Sequence, residues 1–90
     1  MQLIFIENGQ IYRIVNMDNI IQVAKHVTVE HGLWFCCGMS SEGTACGFTL
    51  KFKDESTVAY ALDQIRMGSM MEWRTVYIPI DKIPKEKNNG

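Results

Sequence analysis

Residues 44–65 read TACGFTLKFKDESTVAYALDQI, and the hydrophobic repeat changes inside this stretch. Cys46, Phe48, Leu50 and Phe52 recur every second residue, with Thr49, Lys51 and Lys53 between them. That alternation belongs to a strand with one face in a core and the other in water. From Val58 onward the spacing becomes i, i+3, i+4, i+7 through Ala61, Leu62 and Ile65, which is the stripe of a helix buried on one side. Asp54, Glu55, Ser56 and Thr57 sit at the junction. They supply candidate N-caps, and negative charge where the helix dipole favours it. Gly68 offers a stop. The spacing predicts a strand over 44–53 and one helix over 55–67. That helix must bury its stripe against a sheet, so the fold class is α+β.

The rest of the chain reads as strands. Asn8-Gly9 between two apolar runs predicts a two-residue turn of type I′, and hence a hairpin of Gln2–Glu7 with Gln10–Asn16. Its arms are apolar on both faces for part of their length (Leu3, Ile4, Phe5, Ile6; Ile11, Tyr12, Ile14, Val15). Such a hairpin is covered on both sides or lies at a subunit contact. Asn16–Asn19 is a turn by composition. Ile20–Val29 alternates, with Ile21, Val23, Val27 and Val29 on one face, and its β-branched residues favour a strand over a helix starting at Asp18. Glu30-His31-Gly32 is a turn, Leu33–Cys37 a short strand, and Gly38–Gly43 a polar loop. Glu72–Ile80 is a last strand, with Trp73, Thr75 and Tyr77 on one face and Arg74, Val76 and Ile78 on the other. Pro79 suits an edge or a strand end. The predicted architecture is an antiparallel sheet of five to six strands, including the N-terminal hairpin, packed with a single helix. One domain spans 1–80, and 81–90 is a flexible polar tail.

Composition narrows the function classes. Hydrophobic content of 47% and charged content of 21% describe a globular chain. Nine basic and ten acidic residues give a net charge of -1, without the basic excess on which phosphate binding depends, so no nucleic-acid partner is expected. No segment approaches the roughly 20 apolar residues of a membrane span. The apolar start at Met1–Ile6 is too short for a signal peptide and lacks a basic n-region. The cytoplasm is the default location. Three cysteines cannot all pair within one chain, and reduced thiols fit that location. Six methionines, two tryptophans, four phenylalanines and three tyrosines are a generous apolar supply for ninety residues. Some of it is expected to be buried against another chain, as in a homo-oligomer.

The stretch HGLWFCCGMSSEGTACG, residues 31–47, holds all three cysteines. A hairpin closed around Gly38–Gly43 would set Cys37 opposite Thr44, Cys36 opposite Ala45, Phe35 opposite Cys46 and Trp34 opposite Gly47. Cys37 and Cys46 would then share the core face on a diagonal about 7–8 Å long between Cα atoms, beyond the ~4.4–6.8 Å of most disulfides. Cys36 would point the other way. The spacing fits no common zinc site, and a strand separates His26 from His31, so neither metal nor cofactor is expected. The cysteines read as small apolar packing residues, against a thiolate activated by one of the histidines. Trp34 over Gly47 reads as aromatic cover, against a ring that stacks on a ligand. The GMSSEG loop joins two strands and reads as a hairpin tip, not as a phosphate cradle. No acidic pair stands out for general acid–base work. Met67–Trp73 brings together three methionines and a tryptophan, residue types enriched where proteins meet, against closure of the core end. The candidate partner- or ligand-binding residues are Trp34, Cys36, Met70, Met71 and Trp73.

With IYRIVNMDNI at 11–20, strands after it, and DESTVAYALDQI at 54–65, the layout resembles short accessory proteins of phages and other mobile elements. The resemblance covers turns and one strand–helix joint, and carries no functional residue across. The leading expectation is a small non-catalytic binding protein, oligomeric, that occupies a host protein or sequesters a small ligand. The alternatives are a small cysteine-dependent enzyme or redox protein using Cys36, Cys37 or Cys46 with a histidine, and a structural zinc module.

Overall fold

The structure, a computed structural model, describes residues 1–84. Strands β1 (Gln2–Glu7) and β2 (Gln10–Asn16) form the expected hairpin. Asn8 and Gly9 have φ of 51° and 75°, the two left-handed residues that a type I′ turn requires. A register shift after Phe5 leaves Tyr12 as an extra residue, so Phe5 faces Arg13 and Ile6 faces Ile11. A short 3-10 turn, Met17–Asn19, follows, with the Asn16 side chain accepting from the Asp18 amide. Then come β3 (Gln22–Lys25), β4 (Gly32–Met39), β5 (Ala45–Lys51), helix α1 (Glu55–Met70) and β6 (Thr75–Pro79).

The chain is α+β, but its strands form two three-stranded sheets, not one antiparallel sheet of five to six. The first has the order β2-β1-β6 and the second β3-β4-β5. The β1–β6 pairing is parallel, with Leu3 beside Val76 and Phe5 beside Ile78. Helix α1 explains the difference. Its 16 residues carry the chain about 24 Å, away from the edge of β5 and back to the free edge of β1. Pro79 does lie on an edge strand.

The inner faces of both sheets and the helical stripe share one core. Leu3, Phe5, Val15, Val76 and Ile78 come from the first sheet, Leu33, Phe35 and Leu50 from the second, and Val58, Ala61 and Ile65 from α1. Phe5 is the joint: its ring meets Phe35 and Phe52 edge to face, with centroids 5.8 and 6.0 Å away. Phe35 stacks on Phe48, and the Arg13 guanidinium lies 4.0 Å over the Phe48 ring. A cation over an aromatic face closes the open end of the core with charge still in water.

Several local expectations are corrected. The strand over 20–29 shrinks to β3 because His26 Nδ1 accepts from the amides of Thr28 and Val29, at 3.1 and 3.0 Å. A side chain that bonds its own backbone offers a turn in place of a ladder, and Val27 ends 97% exposed. Strand β4 runs on to Met39, and the loop tightens to a turn at Ser40–Gly43, where Ser40 donates to the Thr44 carbonyl and Gly43 to the Ser40 carbonyl. Gly68 does not stop α1. It is buried within the helix, where a Cβ would fall 2.8 Å from Val76 Cγ2. It lets α1 approach β6. The tail expected over 81–90 starts anchored, since the Asp81 carboxylate accepts from the Asn8 amide at 2.9 Å; residues 85–90 lie outside the described ones.

Candidate functional site

The five candidate residues fall in two separate places. Met70, Met71 and Trp73 lie where α1 ends. Met70 is 76% exposed, and Met71 and Trp73 are exposed too. With Met1, Met17, Ile20 and Ile65, Met70 and Trp73 line an open cleft of about 750 Å³. Trp34 and Cys36 belong to β4 in the second sheet. Trp34 is half-buried and meets the His26 ring edge to face, 6.4 Å between centroids.

The cysteine faces are the reverse of those expected. Cys36 is buried, while Cys37 and Cys46 are exposed. The register explains it: Phe35 faces Phe48, Trp34 faces Thr49, and Cys36 faces Gly47. The chain then bulges, and Gly38 takes the place opposite Cys46. Trp34 therefore does not cover Gly47. Gly47 is small because a Cβ there would land on the Phe35 carbonyl oxygen. Cys46 keeps the face of Phe48 and Leu50, but beyond the end of the core, so it meets water.

The two histidines have structural roles. His31 has φ of 57° and lies between two carboxylates: Nδ1 is 3.2 Å from Glu55 Oε2, and Nε2 is 3.3 Å from Glu30 Oε1. Lys25 Nζ is 2.7 Å from the other Glu55 oxygen. These partners hold the Glu55 carboxyl below its ordinary range, Lys25 first and His31 second. Each ring nitrogen of His31 thus faces a carboxylate and neither faces a thiol. His26 spends Nδ1 on backbone amides, and the bonded thiols donate to carbonyls, Cys36 to Gly38 and Cys46 to Thr44. Among the described residues no group of three or more His, Cys, Asp or Glu is placed to hold a metal. No helix there is long and apolar enough to cross a membrane.

A third surface was only half foreseen. Alternation in the first sheet puts Leu3, Phe5, Val15, Val76 and Ile78 inside, and Ile4, Ile6, Ile14, Tyr77 and Pro79 outside, with Ile11 joining them through the bulge. Ile11, Ile14 and Tyr77 are 62%, 51% and 61% exposed. Ile4 is shielded between its ladder neighbours Ile14 and Tyr77, and is not part of the core. The remaining residues of this face, Gln2, Asn16 and Thr75, carry no charge. The doubly apolar hairpin was the signal in the sequence. Tyr77 was missed as its neighbour because the parallel pairing of β1 and β6 spans more than seventy residues.

Compared with known proteins, the chain matches no family model, no curated protein and no solved structure.

Proposed function

We propose that this chain is a small non-catalytic binding protein that works by protein–protein contact, and that its first partner is a second copy of itself. One observation carries the reading: the outer face of the β2-β1-β6 sheet is apolar, contiguous and free of charge. Large exposed apolar patches mark interaction sites. A face without charge can meet its own copy across a two-fold axis with no like charges opposed and none buried unpaired. In such an assembly the exposed methionines at the end of α1 stay open for a second partner, a host protein or a small ligand, as in an accessory protein of phage or mobile-element type. Engagement of both histidines elsewhere weighs against the cysteine-dependent enzyme, which would need one of them as a base.

Sedimentation of the wild type at micromolar concentration tests the reading against the double variant Ile14→Lys, Tyr77→Lys. The wild type is expected to sediment as a dimer and the variant as a monomer with an unchanged circular dichroism spectrum. A wild type that stays monomeric over the whole concentration range overturns the self-association.

A further inference from the structure

We propose that Cys37 and Cys46 are a redox-modification site, closing a reversible cross-strand disulfide on reaction with a low-molecular-weight disulfide such as oxidised glutathione. The bulge in β4 makes this pair. Cys36 faces Gly47 on one side of it and Gly38 faces Cys46 on the other, so Cys37 is the unpaired bulge residue, one position from the partner of Cys46. The opposed position lies about 4.5–5.5 Å from the Cys46 Cα, and one residue along the strand adds about 3.3 Å at right angles, which gives roughly 6 Å, inside the ~4.4–6.8 Å of most disulfides. Both side chains also occupy one face of the sheet. Cys37 lines the same small cleft as Phe48, and Cys46 shares the Phe48 face by strand alternation.

Access divides the three thiols. Cys37 and Cys46 are exposed and free, whereas Cys36 is buried. Cys46 Sγ gives up only a long contact with the Thr44 carbonyl, 3.7 Å. The Cys37 or Cys46 thiolate attacks oxidised glutathione, forming a mixed disulfide and releasing one glutathione thiolate. The neighbouring thiolate then attacks the protein sulfur of that mixed disulfide, closing the ring and expelling the second glutathione. Two protein thiols lose two electrons and two protons, and one glutathione disulfide becomes two thiols. The ring ties both sides of the hairpin tip that presents the exposed Met39, so the redox state sets how firmly that tip is held.

The test is reduced wild-type protein incubated with oxidised glutathione, quenched with an alkylating reagent under denaturing conditions and weighed intact. The expected product has lost about 2 Da, two hydrogens, and takes up one alkyl group, on Cys36. Cleavage after Glu42, which lies between the partners, leaves the two fragments joined until dithiothreitol is added. Cys36→Ser is expected to oxidise like the wild type, and Cys37→Ser or Cys46→Ser to stop at a mixed disulfide with glutathione. Three alkylated thiols, a stable double glutathione adduct, disulfide-linked dimers, or loss of the bridge in Cys36→Ser would each overturn the assignment.

Discussion

Glu72 shows how a single residue closes an element. Helix α1 is capped by Met71, and the Trp73 amide reaches back to the Gly68 carbonyl at 2.9 Å. That bond requires a left-handed residue between them, and Glu72 supplies it with φ of 56°. Glycine is the residue that takes this position without steric cost. Glu72→Gly is therefore expected to raise stability by up to about 1 kcal/mol, read as a higher urea midpoint with an unchanged slope. A midpoint that falls would show that the glutamate side chain contributes something its exposure conceals. The sequence could not reveal this stop. Gly68 looked like the terminator because glycine commonly ends helices, yet its lack of a side chain serves the contact with β6. The same holds for Gly47, whose place beside the Phe35 carbonyl depends on a register that strand alternation alone left two residues off. Alternation identifies faces, while register needs the position of the bulge.

Among the elements, α1 is the most legible and β3 the least. Residues 54–57 were visible as candidate caps, and the structure makes Asp54 the N-cap of a capping box with Thr57. Asp54 Oδ1 accepts from the Thr57 amide at 2.9 Å, and Thr57 Oγ1 accepts from the Asp54 amide at 3.2 Å. Thr57 is buried and satisfied by this exchange. Among the described residues three carboxyls are held below their ordinary values: Asp54 through the Thr57 amide, Glu55 through Lys25 and then His31, and Asp81 through the Asn8 amide. Each is a group whose charged form the fold favours. The stability they add is present above their unfolded values, and is lost as the pH falls through the lowered folded ones. The urea midpoint is expected to fall as the pH drops below about 4. Asp54→Asn still caps but cannot titrate, so its midpoint should fall less steeply. An equal slope in the variant would remove Asp54 from the effect. At β3 local chemistry defeats the pattern. Four β-branched residues on one face describe a strand well, but an imidazole that gathers two amides ends it after Lys25. A histidine one position before such a run was the cue, and its tautomer and aim are set by the fold.

At the scale of the whole molecule, the sequence predicts one helix on one antiparallel sheet, and the structure divides the strands between two sheets around one phenylalanine-rich core. Inward faces were readable for β5 and α1, whose patterns are local, but not for β1, which is apolar on both faces. The pairing of β6 was not readable either, since a parallel neighbour is chosen by where the helix delivers the chain. The split has an energetic consequence. Two small sheets expose more edge and more outer face than one large sheet, and the apolar part of that excess is concentrated on β1, β2 and β6. If a second copy covers it, unfolding is linked to dissociation, and the thermal midpoint must rise with protein concentration. Calorimetry at a low and a high concentration checks this, and coincident midpoints would contradict a stable dimer.

The parallel ladder between β1 and β6 also dictates an order of events at the ribosome. Strand β1 is the centre of its sheet, yet one of its neighbours, β6, is made more than sixty residues after it. While the polypeptide grows, the N-terminal hairpin can form, but the second edge of β1 has no partner until Thr75–Pro79 emerge. The core is therefore completed all at once and late, after α1 has left the exit tunnel. A chain that stalls between residues 17 and 74 presents the unpaired edge of β1 to whatever chaperone or protease is near.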